Sequence, residues 1–127
     1  MKNITLVIPA KNEPNALPMV LKEIKKLNLN VNIIIVLDKN DFETKNAVKE
    51  FDCKIIFQTK KGYGNAIIEG IKKSETEYLC IFYADGSTDP KYISEMINKI
   101  NSEKLDLVFG SRYEKNSYSL DDDFITR

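Results

Sequence analysis

The string FYADGSTDP, residues 82–90, puts the carboxylate of Asp85 directly after an apolar run. A carboxylate at the tip of a buried strand suits a hard divalent cation. Mg²⁺ and Mn²⁺ prefer oxygen ligands, and they bind through one or two carboxylates plus substrate phosphates. An ordinary Asp-Gly turn reads the same way, and Asp89-Pro90 is better read as a helix opening. Lys60-Lys61-Gly62-Tyr63-Gly64 forms a second cluster. Glycines admit a close backbone approach, a helix N-terminus points N–H groups outward, and lysines add charge, which together suit a phosphate. The same string fits a tight turn with solvated lysines, and it is neither a P-loop nor GxGxxG. Asp38 also ends an apolar run, where an acid can take hydrogen bonds from a ribose or a base, or can open a helix. Glu13 is expected early in a helix, where the dipole favours a carboxylate. Arg112 would reach a phosphate or stand in solvent. Tyr63 and Tyr83 would stack on a ring or line the core rim.

The rest of the composition narrows the chemistry. The 127 residues suit one domain, and 43% hydrophobic residues suffice for one core. Nineteen basic and nineteen acidic residues cancel, so nothing calls for nucleic acid. There is no histidine, which excludes His-based triads, His-ligated zinc and His general bases. Cys53 and Cys80 lie far apart beside apolar runs and read as reduced core residues of a cytosolic chain. No run approaches the roughly 20 apolar residues of a membrane helix, and the start does not resemble a signal peptide.

These residues need elements to position them. Residues 4–8 are β-branched and apolar, and Pro9 is expected to stop that strand. Leu17, Val20, Leu21, Ile24 and Leu27 share a helical face. Residues 32–37 form a continuous apolar run, as in a strand buried on both faces. A short helix follows Asp41, marked by Ala47, Val48 and Phe51. A strand is expected at 54–57, a helix at 64–73, a strand at 78–83, a helix from Pro90 and a fifth strand at 105–109. The order βαβαβαβαβ predicts an α/β fold: a Rossmann-like, doubly wound, mostly parallel sheet. Ligands of such sheets bind beyond the carboxyl ends of the strands, near the switch in strand order. Every strand exits into a polar cluster, and the topology predicts that these clusters share one rim. Residues 1–113 read as one α/β domain. Residues 114–127, with the acidic triplet Asp121-Asp122-Asp123, read as a loop or tail.

The clusters, in this order, resemble the family-2 glycosyltransferases of the GT-A fold, and within them the polyprenyl-phosphate branch typified by dolichyl-phosphate mannosyltransferase. Val7-Ile8-Pro9-Ala10-Lys11-Asn12-Glu13 is similar to the family's opening V-I-P-x-x-N-E. Gly62-Tyr63-Gly64-Asn65-Ala66 and Gly70 match its G-x-G-x-A…G helix start, Tyr83-Ala84-Asp85 its D-x-D site, and Gly110-Ser111-Arg112-Tyr113 its G-S-R-[FY] strand end. The resemblance implies that residues 1–113 are the nucleotide-sugar-binding α/β half of a GT-A fold and that residues 114–127 open a missing acceptor-side region. Pro9, Ala10, Lys11 and Glu13 would line the nucleotide pocket, with Asp38 on the base or ribose. Lys61, Gly62, Gly64 and Ala84 would lie beside the donor. Asp85 would bind Mg²⁺ or Mn²⁺ on its diphosphate, and Arg112 would face a donor or acceptor phosphate.

The implied reaction is inverting transfer from a GDP- or UDP-sugar, in the making of a cell-envelope glycan. Asp85 and Arg112 would offset the leaving charge. A polyprenyl-phosphate acceptor would need little general-base help, which suits a chain without histidine. The implied place is the cytoplasm, peripheral to the inner face of the membrane, with a homo-oligomer as one assembly. Leu37 and Tyr83 stand where the family has carboxylates, and Ser87 where close relatives carry a metal-binding Gln. A second reading is therefore a nucleotide or nucleotide-sugar binding module without turnover. A flavodoxin-like or receiver-like signalling domain ranks last, because it needs a lysine after the last strand.

Overall fold

The computed structural model describes residues 3–103. They fall in two units, Met1–Pro90 and Lys91–Arg127. The first unit holds strands β1 (Ile4–Ala10), β2 (Asn32–Leu37), β3 (Lys54–Phe57) and β4 (Tyr78–Ile81), with helices α1 (Ala16–Lys26), α2 (Phe42–Val48) and α3 (Tyr63–Lys73). Of the second unit, helix α4 (Lys91–Glu103) is described, and it starts one residue after Pro90.

The sheet runs β3-β2-β1-β4, and all three pairings are parallel. Its apolar runs explain the arrangement: β1 is buried along its whole length, and Ile34 to Leu37 of β2 are buried too. The chain winds outward from β1 through β2 to β3, then crosses back to place β4 on the other side of β1. The strand order therefore reverses between β1 and β4, and that is where a doubly wound sheet opens a crevice. Right-handed crossovers put α1 and α2 on one face and α3 on the other.

Helix α1 buries Leu17, Val20, Leu21 and Ile24, four of the five residues its spacing singles out. Each such side chain contributes roughly 1.5–3 kcal/mol of burial. On the opposite face, Val7, Ile34 and Val36 pack with Ala66 of α3, and Ile56 lies against them. Gly70 lets this helix come close: a Cβ there would overlap Val7 Cγ1 and stand 3.0 Å from Val36 Cγ2.

Several boundaries differ from expectation. Strand β1 does not stop at Pro9 but pairs through Ala10 with Leu37. Alternation explains how a central strand tolerates the proline. Val7 faces β4, where its carbonyl accepts the Phe82 N–H at 3.0 Å; Pro9, two residues on, faces the same side beyond the end of that ladder. Strand β4 ends at Ile81, not Tyr83, although Phe82 and Ala84 remain buried. Phe51 falls outside α2. The expected fifth strand and Gly110 to Tyr113, with Arg112, lie outside the described residues.

Candidate functional site

Parallel register brings four polar strand exits to one edge. Ala10 is level with Leu37, and Leu37 with Phe57, while Val7 is level with Ile81. The ladder continues one step past the strand ends, with Asp38 N–H on the Ala10 carbonyl at 3.3 Å and Gln58 N–H on the Leu37 carbonyl at 2.8 Å. Lys11, Asp38, Gln58 and Asp85 thus all emerge at this carboxyl edge. Pro9, Ala10 and Ala84 are buried beneath it.

The β1–α1 loop is held by the start of α2. Asp41 is the N-cap of α2, and its Oδ1 accepts the Thr44 N–H at 3.2 Å. Its Oδ2 accepts the Asn12 N–H at 2.7 Å and the Thr44 hydroxyl at 2.8 Å. Thr44 Oγ1 in turn accepts the Glu13 N–H at 3.0 Å. Asn12 sits in the left-handed region at φ 56°, which asparagine tolerates better than most residues. Partial burial would push the Asp41 carboxyl up, but the three hydrogen bonds together hold it below its ordinary value. Glu13 belongs to this loop and not to the helix: α1 starts at Ala16 with Asn15 as N-cap, and the Glu13 carbonyl accepts the Leu17 N–H. Among the described residues, no hydrogen bond or ion pair engages the side chains of Lys11, Glu13 or Asp38.

The β3–α3 loop is braced in the same manner. Gln58 is buried and donates through Nε2 to the carbonyls of Lys60 at 2.7 Å and Gly62 at 3.0 Å. The Glu69 carboxylate accepts the N–H groups of Thr59 and Lys60 and the Thr59 hydroxyl. Those bonds, the Thr59 N–H first, keep the Glu69 carboxyl low. Gly62 lies at φ 103°, a conformation open in practice to glycine alone. A Cβ at Gly64 would meet nothing within 4 Å, so the turn presents bare backbone at the start of α3. Lys61 is exposed beside it.

After β4, Phe82 and Ala84 point inward while Tyr83 and Asp85 are exposed. Asp85 Oδ1 accepts the Ser87 N–H at 2.9 Å, closing a short Asx turn around Gly86 at φ 81°. Tyr63, 52% exposed, and Tyr83, 42% exposed, stand near this carboxylate. Burial first, then Tyr83 and Asp85, push the Tyr63 phenol up. The start of α3 and the tip of β4 therefore lie within electrostatic reach of each other. A cavity of about 480 Å³ is lined by Ala16, Met19 and Val20 of α1 and by Asp85, Gly86, Thr88, Asp89 and Pro90.

Among the described residues no three Asp, Glu, Cys or His side chains converge. A cation held at Asp85 would therefore have to complete its shell with phosphate and water. Sequence reasoning missed Asp41, Thr44, Gln58 and Glu69 as loop braces. The Asp-x-x-Thr spacing before a helix was the available signal for the first two.

A parallel sheet whose polar exits gather at one edge, beside a switch in strand order, defines a doubly wound, Rossmann-like α/β domain. The chain matches Glycosyl transferase family 2 over residues 5–124 and belongs to that family. Relatives include an uncharacterized glycosyltransferase of Mycobacterium tuberculosis, 26% identical over 109 residues, covering 86% of this chain and 48% of the relative. Protein RfbJ of Shigella flexneri is 28% identical over 113 residues, covering 88% of this chain and 87% of that protein. The chain thus spans about half of the mycobacterial relative. The fold is shared with glucosyl-3-phosphoglycerate synthase from M. tuberculosis, crystallised with Mn²⁺, UDP and phosphoglyceric acid (TM-score 0.68, 15% identity, 78% of this chain and 39% of that one). It is shared too with mannosyl-3-phosphoglycerate synthase from Rubrobacter xylanophilus (TM-score 0.61, 17% identity, 66% and 31%).

Proposed function

We propose that this chain binds a nucleotide-sugar at the carboxyl edge of its sheet and is the donor side of an inverting glycosyltransferase. One observation carries this reading: along the carboxyl edge, among the described residues, the side chains of Lys11, Glu13 and Asp38 have no hydrogen-bond or ion-pair partner, and they share that edge with a bare glycine turn and an exposed carboxylate. Asp38 and Glu13 take the polar edge of the nucleoside. Lys11, Lys61 and the amides around Gly62 and Gly64 face the diphosphate. Asp85 holds Mg²⁺ or Mn²⁺, which when bound offsets charge on the leaving diphosphate. Arg112 adds a cation to the same task. Support for the metal comes from the chemistry of a single exposed carboxylate, and from the Mn²⁺ and UDP in a protein of the same fold.

A polyprenyl phosphate suits the acceptor role, because its oxygen is already a nucleophile at neutral pH. The reaction then belongs in the cytoplasm, at the inner face of the membrane. The free thiols of Cys53 and Cys80 agree with a reducing compartment, and no helix among the described residues is long and apolar enough to cross a membrane. A second reading is a binding module without turnover. It is favoured by Leu37, which is fully buried and apolar where the family pattern has a carboxylate.

Calorimetric titration with UDP, GDP and their sugars, with and without Mn²⁺, tests the proposal. Binding of one nucleotide that tightens with Mn²⁺, and loses that dependence in Asp85→Asn, is the expected result. An unchanged Mn²⁺ response in the variant would reject the role of Asp85. Sugar release or transfer above background separates the enzyme from the module.

A further inference from the structure

We propose that Asp41 is a positioning residue that sets the shape of the donor pocket by tying the β1–α1 loop to the β2–α2 loop. This rests on the nucleotide-binding reading above. Capping a helix requires one acceptor oxygen for the N–H at its second or third position. Asp41 Oδ1 does that through Thr44. Its Oδ2 does something a cap does not require. It reaches a residue 29 positions earlier, accepting the Asn12 N–H at 2.7 Å, and it also orients the Thr44 hydroxyl at 2.8 Å. That hydroxyl is fully buried and receives the next amide along, Glu13 N–H, at 3.0 Å.

Two successive amides of the β1–α1 loop are thereby fixed by one carboxylate and one hydroxyl. Asn12 is the left-handed turn of that loop, and its neighbours Lys11 and Glu13 carry the side chains assigned to the nucleotide. Holding the amides of 12 and 13 fixes the direction in which those side chains leave the backbone. Asp38 is bound into the same unit, because its carbonyl accepts the Asp41 N–H at 3.1 Å while its own N–H bonds to Ala10. Lys11, Glu13 and Asp38 therefore have their backbones referenced to one acid that itself need not touch the ligand.

The test uses Asp41→Asn and Asp41→Ser in the full chain. Both are good N-caps, so α2 keeps its start, but neither can offer a second carboxylate oxygen to Asn12 and Thr44 together. Thr44→Ser keeps the hydroxyl without the methyl and serves as the conservative control. The readouts are the urea midpoint, amide exchange at Asn12 and Glu13 by NMR, and affinity for UDP and GDP. We expect a midpoint only modestly below that of the parent, faster exchange at those two amides, and affinity per folded molecule lowered about tenfold or more for the nucleotide in both Asp41 variants. Thr44→Ser should bind like the parent. Parent-like affinity in both Asp41 variants would overturn the inference while leaving nucleotide binding intact. A parent chain that binds neither nucleotide would instead overturn the functional reading, before any variant is compared.

Discussion

The two edges of the sheet use their polar side chains differently. At the amino edge the hydroxyls bond to one another: Thr5 Oγ1 lies 2.6 Å from Thr76 Oγ1 and receives the Ser74 hydroxyl at 3.1 Å, and Thr76 donates to the Tyr78 carbonyl. At the carboxyl edge the acids turn to loop backbone. Asp41 holds Asn12, Glu69 holds Thr59 and Lys60, and Asp85 holds Ser87. Cavity size does not separate them, since the hollow at the amino edge, at about 510 Å³, is the larger one. The difference lies in what is left over. Hydroxyls that satisfy each other close off an edge, whereas acids that shape loops leave Lys11, Glu13 and Asp38 for something else.

Substitutions can strain that contrast. The largest effect is expected from Leu37→Asp, which would restore the acid of the family pattern. Leu37 is fully buried at the end of β2, so an unpaired carboxylate there should cost about 3 kcal/mol or more in urea unfolding. A stable variant with stronger nucleotide binding would instead show that this position belongs to the site. Gly70→Ala comes next. Its Cβ meets Val7 and Val36 beneath α3, and about 1–3 kcal/mol of stability should go, with nucleotide affinity per folded molecule unchanged. Thr5→Val should cost about 1 kcal/mol through its lost bonds at the amino edge, again without changing nucleotide affinity. Gly64→Ala should do the reverse. Open space around its Cβ and its helical position predict unchanged or slightly higher stability, by up to about 1 kcal/mol, together with weaker nucleotide binding in calorimetry.

The smallest effect is in pH. Asp41 has its pKa lowered on folding, so its contribution is fully present above its unfolded value, near the ordinary 3.8, and is lost as pH falls through the lowered folded value. An acid titration of stability should therefore be shallower below about pH 4 in Asp41→Asn than in the parent.

Much of this was legible in the sequence, and the reasons are local. The apolar runs at 32–37 and 54–57 bound β2 and β3 as found, and the spacing of Leu17, Val20, Leu21 and Ile24 marks the buried stripe of α1. The parallel, doubly wound sheet followed from the βα alternation, and with it the shared edge; the strand order β3-β2-β1-β4 came only with the structure. Pro9 misled, because its missing N–H does no harm where the β4 ladder has ended. Glu13 misled because the chain makes a left-handed turn at Asn12 before the helix begins. The braces were out of reach for another reason. Asp41 to Asn12 spans 29 positions and Glu69 to Thr59 spans 10, and neither pair leaves a periodic trace.

The shared carboxyl edge is tested most directly by mapping amide shifts of the isotope-labelled chain on titration with UDP or GDP plus Mg²⁺. The predicted changes cluster at Lys11, Asn12, Glu13, Asp38, Gly62, Gly64 and Asp85, while Thr5, Ser74 and Thr76 stay still. Shifts centred on the amino-edge hydroxyls, or none at saturating nucleotide, would contradict the assignment of the donor to this edge.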